Sequence, residues 1–398
     1  MISHADWLAR YDKALMHTFG SPSRVLVRGQ GTRVWDADGR QYLDMLGGLA
    51  VNCLGHAHPV VIKAVTEQLS TLGHISNFFA SPPQIALAER LDALVTAASP
   101  GLPSRVFLTN SGTEANEAAF KITRLTGRST IIAMEGSFHG RTMGALAITA
   151  SAKYRDPFAP LPGGVVFVPY GDEQALAAAV NESVAAVVIE PIQGENGVVV
   201  APEGFLRAAR ELTSAAGALL WIDEVQTGIG RCGDWLASAA EGITADVVTF
   251  AKGLGAGFPI GACVATGRAA DLMQPGSHGS TFGGNPVAAA VALAVLDEVQ
   301  RADLLNNATA MGEHLVAAVG ALKHPLVASV RGRGLLRGIV LTSDVAADVV
   351  KDLMASGFIA NAPRPHVIRV APPLIITQDE IDEFVAGLAD ALNAVATP

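Results

Sequence analysis

A lysine and an aspartate, each at the end of a short apolar strand, are the residues of this sequence whose positions most clearly predict chemistry. Lys252 follows the run Val247-Val-Thr-Phe250 and precedes the glycine-rich turn Gly253-Leu-Gly-Ala-Gly257. Asp223 ends the apolar run Ala218-Leu-Leu-Trp-Ile222. An amine and a carboxylate at adjacent strand ends suit pyridoxal phosphate, which needs a lysine for its Schiff base and an acid to keep its ring nitrogen protonated.

Residues 107–114, Phe-Leu-Thr-Asn-Ser-Gly-Thr-Glu, run from a predicted strand into a predicted helix. Ser111 followed by Glu114 is a capping-box pattern. Gly112 would let backbone N–H groups approach an anion at the positive end of the helix. The motif therefore fits phosphate binding or a plain helix N-cap, and taken alone it favours the cap.

Two arginines, an aromatic residue and an acid are of the types that bind a flat cofactor and carboxylates. Phe138 could cover one face of such a cofactor, and Arg141 could hold a carboxylate through a bidentate contact. Glu195 lies between glycine turns, and Arg369 lies in the apolar segment Val367–Ala371. The alternatives are a core phenylalanine, a solvated loop acid and arginines that extend along the surface.

The elements that position these residues alternate between about residues 61 and 289. We predict amphipathic helices such as Thr113–Leu125 and Pro202–Ala216 between strands. The predicted strands are Val106–Thr109, Thr130–Met134, Val165–Val168, Ala185–Glu190, Ala218–Asp223 and Val247–Phe250. Such alternation predicts a mainly parallel sheet covered by helices on both faces, with the ligand site at the carboxyl ends of its strands.

The chain is long enough for two domains, since its 398 residues exceed what one core usually holds together. We predict a large domain over residues 61–289. Residues 1–60 and 290–398 lack its regular alternation, and we expect the two segments to pack together as a smaller α+β domain.

The composition is typical of an α/β enzyme, with 50 % hydrophobic residues and 41 Gly. A net charge of −9 without a basic block argues against nucleic acid as a partner. The longest apolar run, Val287–Leu296, is well short of the roughly 20 residues that span a bilayer and predicts a buried helix. The N-terminal residues resemble no secretory signal, and the three widely spaced cysteines lack metal-binding spacing. We therefore expect a cytoplasmic enzyme without a membrane partner or a metal.

The order of the motifs resembles the class III aminotransferases, which are fold-type I pyridoxal phosphate enzymes. Ser-Gly-Thr at 111–113, Phe-His-Gly-Arg at 138–141, Glu-Pro-Ile-Gln-Gly-Glu at 190–195, Asp-Glu-Val-Gln at 223–226 and Ala-Lys-Gly at 251–253 follow one another, with Gly-Ser-Thr at 279–281 behind them. The resemblance extends from Gly47 to Arg369. It implies an α/β fold-type I transferase with a mainly parallel sheet of the seven-stranded type and a smaller α+β domain formed by both termini.

The resemblance also implies a role for each motif residue. Lys252 would bind pyridoxal phosphate covalently and move the proton between the substrate carbon and the cofactor carbon, while Asp223 would pair with the ring nitrogen. Other cofactor contacts would come from Phe138 and Val225 on the ring faces, Gln226 at the phenolic oxygen, Ser111, Gly112 and Thr113 at the phosphate, and the partner subunit's Thr281. A site shared in this way implies a homodimer.

For the substrates, the resemblance implies amine transfer from N2-acetyl-L-ornithine to 2-oxoglutarate, giving N-acetyl-L-glutamate 5-semialdehyde and glutamate in arginine biosynthesis. Arg141 would hold the donor's α-carboxylate, with the partner subunit's Ser280 nearby, and Arg369 would hold that of 2-oxoglutarate or glutamate. An uncompensated arginine beside the acetylornithine chain would be costly to desolvate. Glu195 would therefore neutralise Arg369 in one half-reaction and release it in the other.

Other functions remain open from the sequence. Related class III enzymes use succinylornithine, ornithine or 4-aminobutyrate, and an aminomutase or a non-catalytic binding protein could share the fold. Retention of Lys252 and Asp223 argues against the non-catalytic protein, and an aminomutase would not need a dicarboxylate site. Ornithine aminotransferases carry a tyrosine near the stretch that reads Gly-Gly-Leu here at 47–49, and its absence favours an acylated donor. Asn196 departs from the small residue that many relatives have at that position.

Overall fold

The structure, a computed structural model, describes residues 3–396. The helices are α1 (His4–Ala14), α2 (Gly47–Ala50), α3 (Pro59–Thr71), α4 (Pro82–Val95), α5 (Gly112–Arg124), α6 (Met143–Ala147), α7 (Ala152–Arg155), α8 (Glu173–Ala179), α9 (Phe205–Ala216), α10 (Pro286–Arg301), α11 (Leu304–Ala321), α12 (Ala346–Ser356) and α13 (Gln378–Ala396). Short 3-10 segments occupy Asp156–Phe158, Ala237–Glu241, Lys252–Gly255 and Gly267–Asp271.

The strands form three larger sheets and one short hairpin. They are β1 (Leu26–Gln30), β2 (Arg33–Asp36), β3 (Gln41–Asp44), β4 (Ser104–Thr109), β5 (Thr130–Met134), β6 (Val165–Val168), β7 (Val184–Ile189), β8 (Ile192–Gln193), β9 (Val199–Val200), β10 (Leu219–Asp223), β11 (Val247–Phe250), β12 (Gly261–Thr266), β13 (Val327–Arg333), β14 (Leu336–Leu341), β15 (Phe358–Ile359), β16 (Asn361–Arg364) and β17 (Val367–Val370).

The largest sheet has seven strands in the order β4-β12-β11-β10-β7-β5-β6. The pairs from β11 through β6 are parallel, and β12 is antiparallel to both of its neighbours. Strands β7, β10, β11 and β12 are buried along their whole length. Continuous burial is expected of a sheet covered on both faces. The predicted mainly parallel α/β fold is therefore confirmed.

Side chains of the sheet alternate between two separate cores. Leu220 and Ile222 of β10 face a core shared with helices α4, α9 and α10, whereas Leu219 and Trp221 face one shared with α5 and α6. In α5 the small residues Ala118 and Ala119 are fully buried, which lets this helix lie close to the sheet. Because α5 begins three residues after the end of β4, its first turn lies at the carboxyl ends of the strands, where the site residues are.

The predicted elements are close to the observed ones, although one strand of the large sheet was not predicted. Observed strand ends lie within two residues of the predictions, and the predicted helix at 202–216 begins at Phe205, after Gly204 with its positive φ of 85°. Strand β12 was not among the predicted strands. Its sequence, Gly-Ala-Cys-Val-Ala-Thr, contains mostly small residues and lacks the β-branched run that marks its neighbours.

The two ends of the chain share a sheet and a core. Strand β15, from the C-terminal part, pairs in parallel with β3 near the N-terminus, and Leu43 and Leu54 lie in one core with residues of α11, α12 and α13. Strands β13, β14, β17 and β16 form a further antiparallel sheet, called the C-terminal sheet below. This arrangement agrees with a smaller α+β unit built from both termini, while the boundaries after residues 60 and 289 stay a prediction.

Helix α10 contains the longest apolar run of the sequence. Its Ala289 and Leu296 belong to the core of the large sheet, and its Val291 and Val295 belong to the core formed by the two ends of the chain. The run is thus buried between the two cores, as predicted. Among residues 3–396, no helix has the length and apolar character needed to cross a membrane.

Candidate active site

One cavity of about 380 Å³ lies at the carboxyl ends of β4, β5, β7, β10 and β11. Its volume is in the range of ordinary small-molecule sites. Each of these strands contributes lining residues at its carboxyl end or within the loop that follows it. The lining includes Ser111, Gly112 and Thr113 after β4, Phe138, His139 and Arg141 after β5, Glu190 and Glu195 after β7, Asp223, Val225 and Gln226 at β10, and Lys252 after β11.

Asp223 lies at the floor of this cavity and is held by three hydrogen bonds. Its Oδ2 accepts from Asn116 Nδ2 at 2.8 Å and from His139 Nδ1 at 2.7 Å. Its Oδ1 accepts from the backbone N–H of Val225 at 2.9 Å. These donors come from α5, from the loop after β5 and from the chain after β10, so the carboxylate has a fixed orientation.

The residues around Asp223 have perturbed acid–base properties. Burial lowers the pKa of His139, but the hydrogen bond and the charge of Asp223 outweigh it, so the net pKa lies above its ordinary value. Burial raises the pKa of Glu190 to about 8, and the charge of Asp223 adds to this while His139 opposes it. Glu190 Oε2 accepts the backbone N–H of Phe138 at 3.1 Å. The floor therefore combines a carboxylate with a second carboxyl group that keeps its proton near neutral pH.

Lys252 stands on the first residue of a 3-10 turn and has a left-handed backbone, with φ of 44°. Such a conformation is uncommon for a residue other than glycine, and it is found where surrounding structure enforces it. Burial lowers the pKa of Lys252, the charge of Glu195 opposes this, and Arg369 lowers the pKa further. The net shift is downward, which makes the neutral, nucleophilic amine more accessible than that of a surface lysine.

The N-terminus of α5 forms another wall. Ser111 caps the helix by accepting the N–H of Glu114 at 3.3 Å. The predicted capping box is only half formed, because Glu114 Oε2 accepts from Asn110 N at 2.8 Å and not from Ser111. A Cβ at Gly112 would stand 2.7 Å from Val225 Cγ1. A residue without a side chain is therefore required where the helix end meets the loop after β10.

Thr113 joins the helix to the loop after β5. Its Oγ1 accepts the backbone N–H groups of Arg141 and Thr142, both at 3.2 Å, and lies 2.7 Å from Thr142 Oγ1. The hydroxyl is thus used within the protein. The groups of this segment that can face an anion are the backbone N–H groups at the start of α5, where the helix dipole also favours negative charge.

Phe138 and Arg141 form a stack with Tyr154. The rings of Phe138 and Tyr154 are arranged edge to face, with centroids 6.4 Å apart. The guanidinium carbon of Arg141 lies 3.4 Å from the Tyr154 centroid and 5.5 Å from that of Phe138. Contact with two aromatic faces holds the charge at the cavity rim.

Arg369 is buried and ion-paired. Its side chain is 1 % exposed, and its Nη1 donates to Glu195 Oε1 at 2.5 Å, while the Glu195 side chain is 36 % exposed. Nη1 also lies 3.4 Å from Gln226 Oε1, and Nε donates to Asn361 Oδ1 at 3.1 Å. Burial raises the pKa of Glu195, but the charge of Arg369 outweighs it and the net shift is downward. Within the part of the chain that the structure describes, the buried Arg369 Nη2 has no hydrogen-bond partner.

The structure thus brings together eleven of the thirteen predicted site residues and leaves two apart. Ser280 and Thr281 are among the residues that line a different, open cavity of about 980 Å³. Asn110 links the two cavities, since it lines the first and its Nδ2 lies 3.3 Å from Ser280 Oγ. Asn116, His139 and Glu190 also line the cavity, near Asp223, although no role was predicted for them from the sequence. His139 and Glu190 stand inside recognised motifs, whereas Asn116 lies within an unremarkable helical sequence.

The residues present fit pyridoxal phosphate. The half-buried amine of Lys252 and the Asp223 carboxylate, which accepts three hydrogen bonds, line one cavity. An aromatic cofactor that is linked through an amine and has a ring nitrogen requires both groups. The start of α5 supplies a site for a phosphate. Because Gly112 has no side chain, the loop carrying Val225 can approach this helix end closely.

Comparison with known proteins agrees with this assignment. The family model for class III aminotransferases matches residues 17–392. An acetylornithine aminotransferase of Streptomyces coelicolor is 55 % identical over 396 residues, covering 99 % of this chain and 97 % of that protein. The corresponding protein of Mycolicibacterium smegmatis is 56 % identical over 388 residues and 98 % of both chains.

Solved structures with the same fold differ in their substrates. An N-acetylornithine aminotransferase from Stenotrophomonas maltophilia superposes with a TM-score of 0.83 at 36 % identity, covering 98 % of this chain and 99 % of that one. An ornithine aminotransferase from Toxoplasma gondii superposes with a TM-score of 0.93 at 32 % identity, covering 99 % of this chain and 96 % of that one. The overall backbone therefore does not separate the two activities.

Proposed function

The chain belongs to the class III aminotransferases, and on this premise we propose that it transfers the terminal amine of N2-acetyl-L-ornithine to 2-oxoglutarate. Its cofactor is pyridoxal phosphate. The products are N-acetyl-L-glutamate 5-semialdehyde and L-glutamate, which places the reaction in arginine biosynthesis. Relatives named acetylornithine aminotransferase, at 55 and 56 % identity, match nearly the whole chain.

The observation that carries the substrate assignment is the unequal environment of two arginines. Arg141 lies on aromatic rings at the rim, whereas Arg369 is buried and neutralised by Glu195. A donor with one free carboxylate needs one of these charges, and a dicarboxylate acceptor needs both. One pocket can accept the two substrates in turn if the second charge is masked in the first half-reaction.

When bound, pyridoxal phosphate supplies a carbonyl carbon that takes up the amine and a protonated ring that withdraws electrons from the substrate carbon. Asp223 would accept a hydrogen bond from the protonated ring nitrogen and so keep it protonated, while Asn116 and His139 hold the carboxylate in place. Lys252 Nζ would carry the covalent link and, once released, accept the proton from the substrate carbon and return it. The lowered pKa of Lys252 increases the fraction of neutral amine that is available for this step.

Other residues would hold and orient. Phe138 and Val225 both line the cavity and would pack on the two faces of the ring, with Gln226 at its phenolic oxygen. The phosphate would be held by the start of α5, at Ser111, Gly112 and Thr113. The hydroxyl of Thr113 is occupied within the protein, so this residue would contribute through its backbone N–H.

The working unit that we propose is a homodimer in which the partner subunit's Ser280 and Thr281 complete each site. The observation in support is that these residues lie outside the cavity of their own chain, next to large exposed aromatic side chains. Phe78 is 92 % exposed and Phe282 is 61 % exposed. Exposed aromatic residues grouped in this way are typical of a protein–protein contact. We also propose a cytoplasmic location, and domains that comprise residues 61–289 and the two terminal segments together.

Steady-state assays with matched donors test the proposal. With 2-oxoglutarate present, N2-acetylornithine should give a kcat/KM at least about tenfold above that of ornithine, N2-succinylornithine and 4-aminobutyrate, a preference of about 1.4 kcal/mol. Omission of 2-oxoglutarate should stop product formation after one turnover. A better unacylated donor would contradict the substrate, and turnover without any keto acid would indicate an aminomutase.

A further inference from the structure

Glu195 lies in the turn of a short hairpin, residues 194–198, that we call the Glu195 turn. The hairpin pairs β8 with β9, directly after the buried strand β7. The backbone N–H groups of Gly197 and Val198 both donate to Gly194 O, at 3.2 and 3.3 Å, and both residues have positive φ. Val198 is fully buried. The turn is therefore tight, and its backbone has few alternative conformations.

The Glu195 turn is contacted by three arginines, each from a different strand of the C-terminal sheet. Each arginine binds a different one of three successive turn residues. Arg369 Nη1 binds Glu195 Oε1 at 2.5 Å, Arg364 Nη2 binds Asn196 Oδ1 at 2.6 Å, and Arg331 Nε binds Gly197 O at 2.9 Å. Of these three contacts, the proposed reaction uses only the one between Arg369 and Glu195.

Asn196 connects the C-terminal sheet to the large sheet. In addition to accepting from Arg364, it donates through Nδ2 to Gln193 Oε1 at 2.8 Å. Gln193 in turn donates through Nε2 to the backbone oxygen of Glu135, just beyond β5, at 2.9 Å. The Asn196 amide also packs so closely on Gly136 that a Cβ there would collide with it. Hydrogen bonds thus run from Arg364 through Asn196 and Gln193 to the end of β5.

We propose that Asn196 and Arg364 are positioning residues that hold the Glu195 carboxylate against Arg369 and so set how strongly it competes with an incoming substrate carboxylate. The inference rests on the proposed function, in which Glu195 must mask Arg369 and later release it. A fixed backbone leaves only the Glu195 side chain free to move. Asn196 follows Glu195 directly, and its bonds to Arg364 and to Gln193 fix that backbone.

The inference predicts opposite effects on the two carboxylate-dependent steps. When the Asn196 contacts are removed, Glu195 loses part of its hold on Arg369. A dicarboxylate then displaces it more easily, whereas a donor with one carboxylate meets a less completely masked arginine. A residue that merely stabilised the fold would weaken both steps together.

Asn196→Ala, Arg364→Ala and the double variant, prepared as holoenzymes, test this. Binding of glutarate, which has two carboxylates and no keto group, should tighten about threefold to tenfold, the range that loss of one or two hydrogen bonds produces. The rate of the N2-acetylornithine half-reaction should fall by a similar factor. The double variant should match Asn196→Ala, because Arg364→Ala removes only a contact that the Asn196 substitution already removes.

A matched control is Asn306→Ala, which removes an exposed asparagine of α11 that donates to Asp303, the residue just before that helix. It should change neither glutarate affinity nor rate. Glutarate binding that is unchanged or weaker in both variants would overturn the inference, as would additive effects in the double variant. If the wild-type enzyme does not use N2-acetylornithine, the proposed function fails, while the glutarate measurement still decides whether Asn196 and Arg364 control access to Arg369.

Discussion

The acid–base behaviour of Lys252 depends on which charges face it. Burial lowers the pKa of its amine, Glu195 and Asp223 raise it, and Arg369 lowers it. Movement of Glu195 away from Arg369 would therefore alter both the pocket's affinity for carboxylates and the proton affinity of the amine. The switch that we propose and the proton transfer at Lys252 Nζ are linked through these charges.

Replacement of Glu195 by Gln separates the two half-reactions. The variant keeps the size of the side chain but leaves Arg369 without a negative partner. The donor half-reaction with N2-acetylornithine should slow by roughly tenfold or more, a partial loss because Glu195 is partly exposed. The 2-oxoglutarate half-reaction should not slow, and 2-oxoglutarate should bind more tightly, since no carboxylate has to be displaced.

Rapid-mixing absorbance measurements of each half-reaction give the two rates directly. A control for the loss of one charge is Glu182→Gln, at an exposed position outside the cavity. Equal losses in both half-reactions of Glu195→Gln would contradict the proposal that Glu195 masks Arg369 in one half-reaction and releases it in the other.

Glu190 predicts a specific pH dependence of stability. Burial raises the pKa of its carboxyl group from 4.5 to about 8. Between these values the folded protein binds more protons than the unfolded chain, so the Glu190 contribution to the free energy of unfolding is full below about 4.5 and is lost as the pH rises to about 8. Glu190→Gln should remove this part of the decline.

Urea unfolding of wild type and Glu190→Gln across this pH range measures the difference. The pKa of His139 is also raised, and its contribution has the same sign, so a smaller decline should persist in the variant. Parallel stability curves for the two proteins would show that Glu190 does not titrate as its burial implies.

Among the secondary-structure elements, most of the strands that carry the site residues were predicted from the sequence. Lys252 and Asp223 were expected at the ends of adjacent strands, and they lie there because apolar runs precede them. The hairpin that carries Glu195 was not predicted, since each of its strands has only two residues. The Arg369 contact was inferred from family resemblance, because sequence spacing cannot show that β17 lies beside that hairpin.

Gly112→Ala tests whether the start of α5 and the loop after β10 form one cofactor-binding element. The added Cβ would stand 2.7 Å from Val225 Cγ1, so one of the two elements must shift. Affinity for pyridoxal phosphate should fall by roughly tenfold to a hundredfold, the equivalent of the 1–3 kcal/mol of an overpacked contact.

Absorbance titration of the cofactor-free protein measures that affinity. Gly320→Ala is the matched control, because a Cβ at this helical position meets nothing within 4 Å. Its affinity should remain that of wild type. Wild-type affinity in Gly112→Ala as well would mean that the helix and the loop are not jointly required.

At the scale of the whole molecule, similarity of fold and similarity of sequence report different things. The backbone superposes on ornithine and N-acetylornithine aminotransferases alike, so the overall fold does not decide substrate choice. We propose that side chains such as Arg141, Glu195 and Arg369 bind the substrates. The sequence suggested those residues through the order of its motifs. It could not show Asn196 bridging two sheets, because that contact depends on the packing of segments more than 160 residues apart.

The site that we propose to be shared between subunits predicts complementation between two defective variants. Lys252→Ala loses its own amine, and Thr281→Asp would place a negative charge at the partner's phosphate. Both homodimers should be almost inactive. Random exchange of subunits should restore about a quarter of wild-type activity, because half of the dimers are mixed and each mixed dimer has one intact site.

Mixing after mild dissociation, with activity followed over time, measures this recovery. A mixture of Lys252→Ala with itself, treated identically, is the control. Activity of Thr281→Asp alone, or absence of recovery despite proven subunit exchange, would contradict a site completed by the partner subunit.

The most direct test of the central claim is a single half-reaction followed through the cofactor's visible absorbance band. Purified holoenzyme without keto acid would be mixed in turn with N2-acetylornithine, N2-succinylornithine, ornithine and 4-aminobutyrate. We expect N2-acetylornithine to bleach the band fastest and 2-oxoglutarate to restore it, whereas Lys252→Ala should show neither change. Faster bleaching by another amine would contradict the substrate, and bleaching that survives the loss of Lys252 would contradict the proposed role of that residue.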